Sequence, residues 1–97
     1  MKLKEYKNHA GGPSTMVFFC PGCQCDHPFD LSRWIWNGSM DKPTFTPSLL
    51  VKGGTYRRQD HPMRCHSFVI DGMIQFLGDC EHELAGQTVE LPDYKET

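Results

Sequence analysis

Cysteine and histidine crowd into a few short stretches of this chain. Cys20 and Cys23 flank Pro21-Gly22, Cys25 and His27 follow at once, and Cys65-His66 and Cys80-Glu81-His82 come later. Two thiols on a tight Pro-Gly turn can hold one side of a divalent cation. Zinc asks for about four thiolate or imidazole ligands at roughly 2.0–2.3 Å, so other parts of the chain must complete the shell. Cys65 is the expected third ligand and His27 the expected fourth, with Cys25 and His66 as rivals for that place. Successive side chains of a strand point to opposite faces, so a Cys65 turned to the metal leaves His66 facing away and free. Cys80 reads as a buried small hydrophobe.

With those ligands set aside, a second polar group remains: Ser48, His66, Ser67, Asp79 and His82. Serine, histidine and a carboxylate are the parts of a nucleophile, its base and the group that orients the base. Ser48 follows the stiff segment Pro43-Thr44-Phe45-Thr46-Pro47, which is a good way to fix a side chain. Two other readings compete. Ser48 can simply start a strand, with Asp79 as a helix cap. Alternatively His66, Asp79 and His82 can surround a second metal with an open position.

The elements that must position these groups read as strands. Met16–Cys20 leads into the cysteine turn, and Phe29–Asn37 is a strand region with Trp34 and Trp36 on one face and Ile35 on the other. The two prolines forbid a helix over 43–47 and deliver a strand at Ser48–Val51. Lys52–Pro62 is polar and reads as a loop. His66–Ile70 and Met73–Leu77 flank Asp71-Gly72, the signature of a type I′ hairpin. Asp79 can cap a short helical turn through Leu84 that Gly86 ends, and Thr88–Leu91 is a last strand. The expected fold is mainly β: one small antiparallel domain over residues 16–92, a structural zinc site, and at most one short helix. Residues 1–15 read as a flexible arm and 93–97 as a tail.

Size and composition limit the function classes. At 97 residues and 38% hydrophobic content the core is thin, and a chain of this kind often needs a metal or disulfide staple. Five cysteines cannot pair completely, which favours metal over a disulfide framework. There is no apolar run long enough for a membrane helix and no signal-peptide pattern, so a cytoplasmic protein is expected. Lys and Arg number 10 against 12 Asp and Glu. That balance lacks the basic footprint of a nucleic-acid binder, so Trp34 and Trp36 read as core and rim aromatics, not a base-stacking platform.

The ordered set of motifs carries a resemblance. Phe19-Cys20-Pro21-Gly22-Cys23, Trp34-Ile35-Trp36-Asn37-Gly38, Pro43 to Leu50, Cys65 to Gly72 and Asp79 to Val89 resemble a family of small proteins of tailed phages and bacteria. That family is long catalogued as a domain of unknown function. Its members often carry labels such as ammonia monooxygenase or anaerobic dehydrogenase, for which this chain has no membrane segment, nucleotide loop or redox-cluster spacing. More distantly the chain is similar to the peptidase of bacterial ubiquitination-like (Bub) operons. The resemblance implies a zinc-stabilised fold and a serine-type hydrolase in a ubiquitin-like pathway, acting on a protein or peptide. It implies Ser48 as nucleophile and His66 as its base, while Asp79 and His82 belong to the phage-type pattern. The other expected functions are a non-catalytic zinc module that binds a protein through Trp34, Trp36 and the Lys52–Pro62 loop, and the two-metal hydrolase.

Overall fold

The structure is a computed structural model and describes residues 1–54 and 63–94. Two antiparallel sheets make up the fold, with no helix among the described residues. The smaller sheet has the order β1-β2-β3: β1 is Lys4–Tyr6, β2 Thr15–Cys20 and β3 Cys25–Asp30. The larger has the order β4-β5-β6-β7-β8: β4 is Ile35–Trp36, β5 Phe45–Gly54, β6 Met63–Ile70, β7 Met73–Phe76 and β8 Thr88–Glu90.

The core lies between the sheets. Met16 and Phe18 of β2 and Phe29 of β3 face Phe45, Val69, Ile74 and Phe76 of the larger sheet, and all are essentially buried. Phe29 stacks on Phe45 with ring centroids 3.9 Å apart and planes 5° from parallel. Period-two alternation produces this packing. In β7 the residues read exposed, buried, exposed, buried, which puts Ile74 and Phe76 inward.

The expected hairpin forms between β6 and β7, with Ile70 opposite Met73. Its turn residues Asp71 and Gly72 have φ of 54° and 78°, as a type I′ turn requires. The stiff proline segment runs straight into β5. Pro47 has no N–H to give a ladder, and the β5–β6 register shifts between Phe45 and Leu49.

Three expectations change. The strand region Phe29–Asn37 is broken after Asp30, because the Asp30 carboxylate captures the Ser32 N–H and hydroxyl at 2.9 and 2.8 Å and turns the chain. Trp34 and Trp36 are still half-buried, with Ile35 exposed between them. The helical turn expected at Asp79–Leu84 is a run of turns instead. Glu81 gives its N–H to the Arg64 carbonyl of β6 (2.9 Å), not to its own segment, so no helical ladder starts. Within the expected arm, Lys4–Tyr6 pair with β2, Leu3 is buried, and Lys2 donates its N–H to the Met40 carbonyl. At the other end Tyr94 donates its N–H to Met1 and its hydroxyl to the Asp26 carboxylate. Of the expected loop Lys52–Pro62, Lys52–Gly54 continue β5, and residues 55–62 lie outside the described residues.

Candidate metal centre and active site

The β2–β3 hairpin makes the first half of the cluster. Cys20 closes β2 opposite Cys25, and four residues turn the chain between them. Gln24 sits at φ 59° and gives its N–H to the Cys20 carbonyl, while Cys23 gives its N–H to the Cys20 sulfur (3.4 Å). His27 lies two residues along β3 from Cys25, on the face that also carries Phe29, and is buried. Cys65 of β6 arrives from the other sheet, with its sulfur 3.9 Å from that of Cys20. Cys20, Cys23, His27 and Cys65 are all buried, and their ligand atoms lie within 4.8 Å of one another. Tetrahedral bonds of about 2.3 Å would put neighbouring sulfurs roughly 3.8 Å apart, close to the Cys20–Cys65 spacing. All five cysteines are free thiols.

Two further observations suit a cation here. The His27 Nδ1 lies 3.0 Å from the Asp26 carbonyl, which can only accept, so Nδ1 carries the proton. That leaves Nε2 as a bare lone pair, and this atom is buried with no hydrogen-bond partner. The thiols also compete for charge. Hydrogen bonds from Cys23 and Cys65 pull the Cys20 thiol down to about 4, while Cys20 and Cys23, with burial, push the Cys65 thiol up. One thiolate forms easily and the next is opposed by it, an opposition that a divalent cation removes. Cys25, the rival ligand, is outside the group. Burial and then the charges of Cys23 and Cys20 push its thiol up to about 11. These buried Cys/His residues could hold a metal ion.

His66 follows Cys65 and points to the opposite face of β6. Its Nε2 lies 3.2 Å from the Ser48 Oγ of β5, and its Nδ1 lies 3.3 Å from the Asp79 carboxylate. A carboxylate only accepts, so Nδ1 holds the imidazole proton and Nε2 turns its lone pair to the serine hydroxyl. The spacing is slightly long, as is usual before a substrate tightens such a set. The imidazole is 26% and the carboxylate 44% exposed, so the group opens to solvent.

The structure therefore brings Ser48, His66 and Asp79 together and places His82 elsewhere. His82 Nδ1 accepts the Leu84 N–H (3.2 Å), which puts the proton on Nε2, 3.4 Å from the Cys65 sulfur. It packs edge-on to Phe76 and against Gly22, where any Cβ would run into its ring. His82 thus backs the metal cluster, and among the described residues no metal-capable group joins it to His66 and Asp79. Ser67 faces the core, its hydroxyl buried and without a partner.

Two residues matter more than the sequence suggested. Cys80, read as a small hydrophobe, bonds through its sulfur to both the N–H (3.2 Å) and the C=O (3.1 Å) of His66. The Leu77 N–H bonds that same carbonyl, and Glu81 brackets the Arg64 backbone from both sides. Residues 77–82 therefore clasp the stretch of β6 that carries Cys65 and His66. The only signal for Cys80 was its place between Asp79 and His82. Trp34 reaches across to Ser48, its indole N–H 3.3 Å from the Ser48 carbonyl.

No curated protein and no solved structure gives a significant match. Residues 2–77 match the family model described as the bacterial ubiquitination-like system serine protease (BubE). The match includes Ser48, His66 and the whole cluster Cys20, Cys23, His27 and Cys65, and stops two residues before Asp79. No helix among the described residues is long and apolar enough to cross a membrane. With more than half its length matched, the chain belongs to the BubE family.

Proposed function

We propose that this protein is a serine-type peptidase that trims or cuts the tail of a protein substrate, on a fold stapled by one zinc ion. The reading is carried by the continuous run Ser48 Oγ, His66 Nε2, His66 Nδ1, Asp79 Oδ2. His66 Nε2 takes the Ser48 proton as the oxygen attacks the scissile carbonyl. The imidazolium that results is stabilised and held in orientation by Asp79, and it passes the proton to the leaving amine. Water then attacks the acyl ester, giving a proton to Nε2. The acyl–Oγ bond breaks, Nε2 returns that proton to the Ser48 oxygen, and the product leaves as a carboxylic acid. Backbone N–H groups beside Ser48 would stabilise the oxyanion, where loss of one donor typically costs ~10²–10³ in rate.

Cys20, Cys23, His27 and Cys65 would hold the zinc. Its contribution is structural, tying the β2–β3 hairpin to β6. A purely protein-binding module would not need a histidine beside Ser48, and the 3.2 Å Ser48–His66 spacing favours the enzyme. A second-metal hydrolase would need His82 beside His66, whereas its Nε2 meets the Cys65 sulfur. The family description supports a protein substrate in a bacterial ubiquitination-like system. We place its action in the cytoplasm of the bacterial or phage-infected cell.

The test is Ser48→Ala. Peptide cleavage should be abolished while zinc content and thermal midpoint stay at the parent values. Undiminished turnover in that variant would end the serine mechanism.

A further inference from the structure

Among the described residues, the edge of β5 next to Ser48 is open. On its other side β5 pairs with β6, but β4 pairs with Phe45 and Thr46 alone. From Ser48 onward, among the described residues, no backbone group pairs with the β4-side edge.

The direction of the edge groups follows from β6. His66 sits opposite Leu50, yet its N–H goes to the Cys80 sulfur and its C=O takes the Leu77 N–H. Both groups therefore point away from β5, which makes Leu50–His66 a non-hydrogen-bonded pair. The Leu50 N–H and C=O must then point to the open edge. Ser48 agrees: its carbonyl meets the Trp34 indole, which lies on that same side.

A groove of about 360 Å³ runs along this edge. Its walls are largely apolar, with Pro28 and Trp34 facing Leu49 and Val51. Unpaired strand edges are templates for another strand: main-chain hydrogen bonds supply affinity, and pockets for alternate side chains supply selectivity.

We infer that the substrate binds as an added β-strand on the Ser48–Leu50 edge of β5, with an apolar side chain in the groove under Trp34. This rests on the peptidase reading and specifies its substrate: an unfolded, extended tail segment, not a folded surface. Continuity with the nucleophile argues for that occupant. The open edge starts at Ser48, so a strand lying along Leu50 ends at the serine.

The experiment uses the unmodified full chain and leaves the fold intact. A mixture of fluorogenic peptides identifies one that is cleaved. That peptide is then remade twice, with N-methyl groups on alternate residues in one register or the other. A strand on one edge uses every second amide, so one register should lower kcat/KM by about a hundredfold, several hydrogen bonds' worth. The other register should stay within about threefold. Equal tolerance of both registers would overturn edge docking. So would labelling of Ser48 by a small fluorophosphonate with no peptide in the mixture cleaved. A stable dimer in sedimentation that buries this edge and that saturating peptide does not dissociate would also overturn it, giving the edge to a second copy. Failure of the fluorophosphonate to label Ser48 at all would instead overturn the peptidase reading beneath it.

Discussion

At the scale of single residues, two histidines have had their tautomers fixed by a neighbour on the far side of the ring. In His66 the Asp79 carboxylate claims Nδ1, so Nε2 keeps its lone pair toward Ser48. In His82 the Leu84 N–H claims Nδ1, so Nε2 is a donor to sulfur. The two rings therefore answer differently to substitution. Asp79→Asn keeps the size but weakens the hold on Nδ1–H, and kcat should fall by about 10²–10⁴ with KM little changed. Loss confined to KM would remove Asp79 from the catalytic set. His82→Ala should instead weaken metal retention by about 10–100-fold, the usual effect of losing a partner behind a ligand. Competition with a chromophoric chelator measures it. A His82→Ala protein with unaltered metal retention and no activity would return this histidine to the chemistry.

At the scale of elements, the features written into local sequence were legible. Asp71-Gly72 between two apolar runs specified the hairpin, and its φ values leave little freedom at either residue. Gly72→Ala puts a side chain at φ 78° with a Cβ 3.1 Å from the Asp41 carbonyl, and should cost about 1–3 kcal/mol in urea unfolding. A midpoint equal to the parent would contradict the tight turn. The Cys20–Cys23 elbow was legible for the same reason, since both thiols and the turn lie within four residues. Strand alternation also separated Cys65 from His66. What sequence did not show depends on distant pairing. The segment after β7 looked helical because Asp79 is a natural cap, but its polar groups are drawn to Arg64 and His66 of β6. The role of Cys80 is invisible until that docking exists. The open β5 edge likewise follows only from β4 being two residues long.

At the scale of the whole molecule, the candidate ligands join the sheets. Cys20, Cys23 and His27 belong to the smaller sheet's hairpin, and Cys65, 45 positions after Cys20, belongs to the larger. Apolar packing already bridges them through Phe29 and Phe45, so a metal held by these four residues would add a second tie at one end. Elemental analysis should find one zinc per chain. Removing it with a strong chelator should lower the melting temperature by roughly 10 °C or more, at about 4–8 °C per kcal/mol for a domain of this size. Two zinc ions per chain would revive a second metal site, and an unchanged melting temperature would refute the structural role.

A single peptide bond separates the Cys65 sulfur, which faces the metal cluster, from the imidazole that faces Ser48. Reagents that eject zinc or alkylate thiols should therefore slacken the strand that holds the base, and turnover should drop although Ser48 is never touched. In a compound screen such molecules would score as serine-protease inhibitors. Counting free zinc in the same well would tell the two kinds of hit apart.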